Sequence, residues 1–476
     1  MSTTLSIDDI AVGTMKSVKV DGHRICLVRT VSGLHAIDHA CPHEGYGLTQ
    51  GELDGDLLTC AWHNWKFRVT DGTCVQGEEA VQTHDVSVAA DGGVRVTINR
   101  PGPAARRPQL LASLRSGIER DYTGQVARDV VRLLQADANP GELIWEAIAH
   151  GAPRAEFGWG HSIASATDCL AMIDLYQGDQ RALPIVQGIM GIAESERGRP
   201  VNPLPDPAPA SAATAAAFRT AIEAERTAEA QALVLAAIER GDGSSDILPW
   251  FTTVVSDHHL SYGHGAIYTQ KAFELLDRIG WERAATVLPH LVPTLVNGTR
   301  EDKLPYMRPF TRALAGVDLG ALAGAAPLDG WRDDGTLLDA LLGDLRTAPV
   351  DATVEALRSG ASVDDVLDVV VQAVSERMLR YDVAGEFDFA DDFGWLDITH
   401  GLTYANAVRW HHRHSVEHGS GGSPDLLRLV LFTAFLAQWT GRHEWHTSVG
   451  GRAQVEPLGS TIDTYAAELQ RQSLLD

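Results

Sequence analysis

Along the first hundred residues, apolar and polar positions alternate with period two in short runs, each closed by a turn dipeptide. Ser17-Val18-Lys19-Val20 and Arg24-Ile25-Cys26-Leu27-Val28-Arg29 flank Asp21-Gly22, the composition of a two-residue hairpin. Ser32-Gly33, Asp71-Gly72 and Asp91-Gly92-Gly93 mark further turns, and residues 94–98 alternate again. Residues 5–99 therefore predict a small antiparallel β domain. Then the period changes. Residues 101–108, Pro-Gly-Pro-Ala-Ala-Arg-Arg-Pro, read as a linker with no helix before about Leu110. Beyond it, apolar residues recur at helical spacing over 126–134, 212–240, 354–379 and 424–439. The proline-rich stretch 200–209 falls between helices. The fold class that follows is an α+β multidomain chain. It has a β domain over 1–100, a linker over 101–109 and a large all-α domain over 110–476.

The helical part repeats itself. Phe157-Gly158-Trp159-Gly160-His161 and Leu260-Ser261-Tyr262-Gly263-His264 each lead into an apolar helical run, and each run then reaches Leu-Pro, at 183–184 and 288–289. The offset is about 103 residues, which sets Glu156 opposite His259 and His161 opposite His264. A looser third copy runs from Asp392-Phe393-Gly394-Trp395 to His400, again a carboxylate, an aromatic and a helix led by histidine.

Composition narrows the classes. The 39 Lys+Arg against 63 Asp+Glu leave a formal charge of −24 over 476 residues. So acidic a chain repels phosphate backbones, which excludes nucleic acid as a partner. The most apolar stretch, 426–439, is short and carries Arg428, so no membrane span is expected. Five cysteines and an N-terminus without a basic-then-apolar leader suit a cytoplasmic protein without disulfides. The basic residues include only five lysines, and alanine and glycine are abundant, an association with bacterial GC-rich genomes.

The densest chemistry lies in the β domain. Cys41-Pro42-His43 is followed, after sixteen intervening residues, by Cys60-Ala61-Trp62-His63. Two thiolates and two imidazoles suit either a Cys2His2 zinc ion or an asymmetric [2Fe–2S] cluster with two Cys on one iron and two His on the other. Each loop here supplies one Cys and one His, as the asymmetric cluster needs. These loops, the nearby Gly45 and Gly47, and the sequence from Cys60 to Cys74 closely resemble Rieske ferredoxins. The resemblance implies that Cys41, His43, Cys60 and His63 bind a Rieske [2Fe–2S] cluster that takes electrons from a reductase. Cys26, Cys74, His23, His35, His39 and His84 read as structural. The catalytic domain of ring-hydroxylating oxygenases is not matched. His259 and His264 have the spacing of its iron-binding histidines, but Ser256 stands where its aspartate belongs, and no strand-rich segment follows.

Thirteen of the 19 histidines lie beyond residue 100. A duplicated unit that brings an imidazole from each copy is a natural way to build a metal site between helices, and imidazole with carboxylate suits Fe(II) with positions open for dioxygen. The candidate ligands are Glu156, His161, His259, His264, Asp392, His400, His443 and His446. Of these, Glu156, His161, His264 and His400 are the catalytic candidates. The run His411-His412-Arg413-His414 reads as a solvated helix end, and His150, His290 and His418 as structural. Tyr262-Gly263-His264, then residues 288–293, then His400-x2-Thr403-x2-Asn406 resemble the helical questin oxidase-like family in scattered motifs. Thr299-Arg300-Glu301-Asp302 replaces a histidine-bearing stretch of that family.

The resemblance implies Baeyer–Villiger-type oxygen insertion. The function expected from the whole is a Rieske-dependent non-haem iron oxygenase, with one iron or, from the number of histidines, two. Its substrate would be a small organic, aromatic, natural-product-like molecule, oxygenated at carbon or nitrogen, amine to nitro included. Dioxygen is the co-substrate. No G-x-G-x-x-G follows a strand, so NAD(P)H is expected on a partner reductase. The alternatives are a Rieske electron carrier with a docking domain, and a zinc hydrolase. The sequence leaves a homo-oligomer open.

Overall fold

The computed structural model describes residues 2–77, 79–381, 394–418 and 422–443. Its strands are β1 (Ser2–Ser6), β2 (Thr14–Val20), β3 (His23–Thr30), β4 (Gly33–Asp38), β5 (Glu52–Asp54), β6 (Leu57–Thr59), β7 (Lys66–Arg68), β8 (Cys74–Gln76), β9 (Thr83–Val88) and β10 (Gly93–Thr97). Six of them form one antiparallel sheet in the order β1-β10-β9-β4-β3-β2, and the other four form a second, β5-β6-β7-β8. The hairpin expected at Asp21-Gly22 is present. Val20 pairs with His23, and both turn residues are left-handed at φ +49° and +84°, which matches the twist of the flanking strands. β3 buries both faces, Ile25 and Leu27 in one apolar cluster and Cys26 and Val28 in the other.

From Pro103 onward the described chain is predominantly helical. The first helix, Pro103–Glu119, begins seven residues before Leu110, inside the expected linker. Pro103 stands in its first turn, where a missing N–H costs nothing. The chain divides into two compact units. One comprises 1–150 with 169–198, the other 151–168 with 199–476. The first helices thus belong with the β domain: Arg132 on helix Thr123–Gln135 pairs with Glu79 at 3.2 Å.

Two expected long helices are broken. The run 212–240 divides into Ala215–Glu223 and Thr227–Arg240 at Glu225, which is left-handed at φ +57°. The run 354–379 divides into Ala348–Arg358 and Val363–Arg380 at Gly360, φ +101°. Apolar periodicity survives a one-residue break, so pattern alone does not reveal it. Pro424–Trp439 is helical as expected and almost wholly buried.

In the second unit the core admits imidazoles. His259 is 2% exposed, stacked on Phe432 with ring centroids 4.2 Å apart and edge-on to Phe310. His411, expected at a solvated helix end, is 1% exposed. Its Nε2–H donates to the Ala266 carbonyl at 3.2 Å. Burial pushes His259 down to about 3 and His411 to about 4. The unfolded chain therefore takes up these protons first on acidification. Stability is retained above the ordinary histidine value of 6.5 and is lost as pH falls below it. The urea midpoint of this unit is expected to fall between pH 6.5 and 4, and to fall less steeply in His259→Asn, which tolerates the left-handed backbone. A flat midpoint over that range would contradict the assignment.

Candidate functional site

The β domain ends in two loops of the same design. In the first, Cys41 N–H donates to the Tyr46 carbonyl at 2.8 Å and Gly45 N–H to the Cys41 carbonyl at 2.8 Å. In the second, Cys60 N–H donates to the Trp65 carbonyl at 2.8 Å and Asn64 N–H to the Cys60 carbonyl at 3.1 Å. Gly45 and Asn64, each four residues after the cysteine, are both left-handed, at φ +75° and +58°, a conformation glycine and asparagine tolerate. Each cysteine thus starts a closed turn that projects its side chain inward. The histidine lies two residues on in the first loop and three in the second.

The donors are sorted by depth. Cys41 and Cys60 are buried in the apolar cluster with Leu48, Leu58 and Phe67. His43 lies at the edge of burial and His63 is exposed; their rings meet edge-on at 4.4 Å between centroids. Among the described residues, the one group of three or more donor atoms all within 4.8 Å of each other is His43, Glu44 and His63. The thiols stand apart from it. A single tetrahedral zinc ion would need all four donors in one shell, whereas a two-iron cluster spreads two thiolates and two imidazoles over two metals. The arrangement fits the cluster. Burial pushes the Cys41 thiol up to about 12, so its thiolate needs a cation beside it.

Tyr122, the extended residue that caps helix Thr123–Gln135, completes the site. Its hydroxyl lies 2.9 Å from His43 Nε2 and donates to Glu44 Oε1 at 3.3 Å. His43 Nε2–H then donates to Tyr122, which leaves Nδ1 as the atom facing a metal. Nothing in the local motif pointed to this residue, 79 positions away.

In the second unit, a histidine opens each of two helices, His161–Met172 and His264–Ile279. Their Nε2 atoms are 3.0 Å apart. His400 comes from the second turn of Trp395–Glu417 rather than leading the helix, with its ring 4.6 Å from that of His264 between centroids. Two residues of one turn orient the rings. His264 Nδ1–H donates to the Ser261 carbonyl at 2.7 Å, and His400 Nε2–H to the Tyr262 carbonyl at 2.6 Å. Burial lowers the pKa of both, that of His400 to about 4, so both are neutral near pH 7. The three imidazoles line a cavity of about 690 Å³.

The turn that supplies those carbonyls is strained. His259, Ser261, Tyr262 and Gly263 are all left-handed, at φ +48°, +51°, +60° and +96°, and such non-glycine residues cost about 1–3 kcal/mol each. Ser261 N–H donates to the Thr299 carbonyl at 2.8 Å, Thr299 N–H to Ser261 Oγ at 3.0 Å, and Tyr262 N–H to Glu301 Oε1 at 2.9 Å. Glu301 is buried, and accepts from the Tyr306 hydroxyl through its other oxygen at 2.5 Å. Sequence reasoning saw in Glu301 only a departure from a family motif. A Cβ on Gly263 would come within 2.5 Å of the Tyr404 ring, so glycine is required there.

The structure does not bring every candidate here. Glu156 is exposed on the loop before the His161 helix. His259 is turned into the Phe310 and Phe432 core by its own left-handed backbone. Asp392 and His446, and the side chain of His443, lie outside the described residues. His290 donates from Nδ1 to the Thr286 carbonyl of its own helix at 2.6 Å.

Removing the acceptor from His43 Nε2–H makes that imidazole a poorer electron donor. Tyr122→Phe is therefore expected to raise the midpoint potential of the cluster by a few tens of millivolts and to leave its iron and sulfide content unchanged. A redox titration followed by EPR measures this; an unchanged potential would remove Tyr122 from the site.

Comparison with known proteins supports a Rieske cluster in the β domain. A family model described as the Rieske [2Fe-2S] domain matches residues 3–89. The ferredoxin component of an alkene monooxygenase system from Xanthobacter autotrophicus is 37% identical over 68 residues, 14% of this chain and 56% of that protein. The chain thus spans about half the length of that relative. The ferredoxin component of the naphthalene 1,2-dioxygenase/salicylate 5-hydroxylase systems of a Ralstonia species is 30% identical over 84 residues, 17% of this chain and 81% of that protein. Among solved structures, the ferredoxin of carbazole 1,9a-dioxygenase from Nocardioides aromaticivorans is 24% identical, covering 20% of this chain and 94% of its own, with a TM-score of 0.19. No helix among the described residues is long and apolar enough to cross a membrane. Through its N-terminal domain the chain belongs to the Rieske [2Fe–2S] family, whose members here serve oxygenation and electron transfer.

Proposed function

We propose that the chain is an O2-dependent oxygenase, with Cys41, His43, Cys60 and His63 holding a Rieske cluster, and with His161 and His264 holding one Fe(II) that His400 joins by closing in, since the three imidazoles do not each bring a donor atom within 4.8 Å of the other two in the structure. The observation that carries this is the meeting of His161 and His264 Nε2 atoms at 3.0 Å in the wall of a cavity. Two nitrogens each about 2.1 Å from one ion, and at right angles about it, stand about 3.0 Å apart. His264 has already given its Nδ1–H to a backbone carbonyl, so its Nε2 carries a lone pair toward the cavity. His400 is fixed through Nε2, which leaves Nδ1 as its donor. Among the described residues no carboxylate bridges these imidazoles, which favours one iron over the two expected from the number of histidines.

When bound, the cluster supplies single electrons and the ferrous ion a site for dioxygen. Insertion of one oxygen atom into a substrate, with the other leaving as water, consumes two electrons and two protons. A partner reductase carrying NAD(P)H would supply them through the N-terminal domain. The residues of the helical unit do the rest. The carbonyls of Ser261 and Tyr262 each fix the tautomer of one imidazole, Glu301 holds the turn, and Ile267 and Tyr268 give the cavity apolar walls. Hydroxylation at carbon, Baeyer–Villiger insertion and oxidation of an amine all lie within this reaction class. A Baeyer–Villiger outcome would follow the questin oxidase-like resemblance of the helical region.

Anaerobically purified protein is expected to contain three irons and two acid-labile sulfides per chain. His264→Ala should lose one iron and keep both sulfides and the Rieske EPR signal. Two irons in the unaltered protein would overturn the oxygenase and leave an electron carrier.

A further inference from the structure

The cavity behind the imidazoles has a second polar end, built by the same internal repeat. His161, Ser165 and Asp168 line it from one helix, and His264, Tyr268 and Lys271 from the other. Each residue of the first set is 103 positions before its counterpart, and equivalent residues meet at both ends. His161 meets His264 at 3.0 Å, and Lys271 Nζ donates to Asp168 Oδ1 at 2.6 Å. The two helices therefore run side by side in the same direction. Seven residues at about 1.5 Å each put the ion pair about 10 Å along the cavity from the imidazoles.

Between the two ends the wall is largely apolar, with Ala164, Ile267, Tyr268 and Leu402. The groups at the far end are not equally accessible. Lys271 is 8% exposed and also donates to Glu274 Oε2 at 3.4 Å. Glu274 is in turn paired with Arg278 at 3.7 Å, so two cations and two carboxylates share this end. Lys271 is spent on its own neighbours, whereas the Asp168 side chain remains 52% exposed beside the cavity. Among the described residues no donor meets its Oδ2. The accessible group at this end is thus a carboxylate: an anion placed there would meet it with no free cation beside it, while a cation would find an open carboxylate oxygen.

We propose that the substrate is an amphiphilic amine about 10 Å long, bound with its protonated amino group on Asp168 and its apolar body between Ile267, Tyr268 and Leu402. Its far carbon then lies at the histidines. This rests on the oxygenase reading for which end reacts, and it places oxygen insertion at carbon, remote from the nitrogen.

Three probes of equal length separate the charge types: 4-phenylbutylamine, 4-phenylbutan-1-ol and 4-phenylbutyrate. Their binding to the anaerobic holoprotein is followed by calorimetry. The amine is expected to bind at least about tenfold tighter than the alcohol, and the carboxylate most weakly. Asp168→Asn should bring the amine down to the level of the alcohol without changing the affinity for the alcohol. Lys271→Met, which leaves Asp168 without its cation, should tighten the amine. Preference for the carboxylate, an amine affinity indifferent to Asp168→Asn, or no binding of any probe at millimolar concentration would overturn the proposal. Iron content measured on the same samples separates the two readings. Asp168-dependent amine binding in a protein with only cluster iron would keep the amine site and sink the oxygenase. A third iron with no amine preference would do the reverse.

Discussion

The turn from His259 to Gly263 is the constraint on which the helical site depends. Its left-handed residues reverse the chain sharply enough to bring the carbonyls of Ser261 and Tyr262 to the imidazoles of His264 and His400. A regular helix would have consumed both carbonyls in its own ladder. The conformation is unfavourable for serine, tyrosine and histidine and persists because the surroundings over-determine it. Thr299 and Glu301 hold its N–H groups, and Tyr404 packs where a Cβ on Gly263 would stand. Backbone strain of this kind concentrates at functional sites, where it holds groups in a set geometry.

The same economy appears in the β domain, where two loops share one backbone design and differ only in where the histidine falls. Closed turns at Gly45 and Asn64 carry Cys41 and Cys60 into the apolar core and leave the imidazoles at the rim. An asymmetric cluster would then have its sulfur-bound iron inside and its nitrogen-bound iron outside, where electrons enter and leave. Tyr122 and Glu44 act on the outer side, at His43.

Much of this was legible in the sequence, and the reasons differ by region. The β domain announced itself because period-two alternation and turn dipeptides are local signals, and because two Cys/His pairs at that spacing have few other uses. His161 and His264 were legible because duplication keeps an offset of 103, and the same offset joins Asp168 to Lys271, which drew no notice as an ordinary surface pair. Glu156 and His259 misled because the repeat aligns positions while the backbones around them differ. His259 is left-handed and faces phenylalanines, and Glu156 stays in solvent. Glu301 and Tyr122 were illegible. Each acts through a contact dozens of residues away, and neither belongs to a spaced motif. The helix breaks at Glu225 and Gly360 escaped for a related reason, since one left-handed residue barely disturbs an apolar period.

The central claim is that His161, His264 and His400 hold a ferrous ion separate from the cluster. Nitric oxide added to the dithionite-reduced protein tests it most directly, because a ferrous imidazole site with an open position gives a half-integer-spin EPR signal distinct from that of a reduced Rieske cluster. The account predicts that signal at about one spin per chain, absent from His161→Ala, His264→Ala and His400→Ala chains whose Rieske signal is intact. No such signal in the unaltered protein, or one that survives all three substitutions, would contradict it.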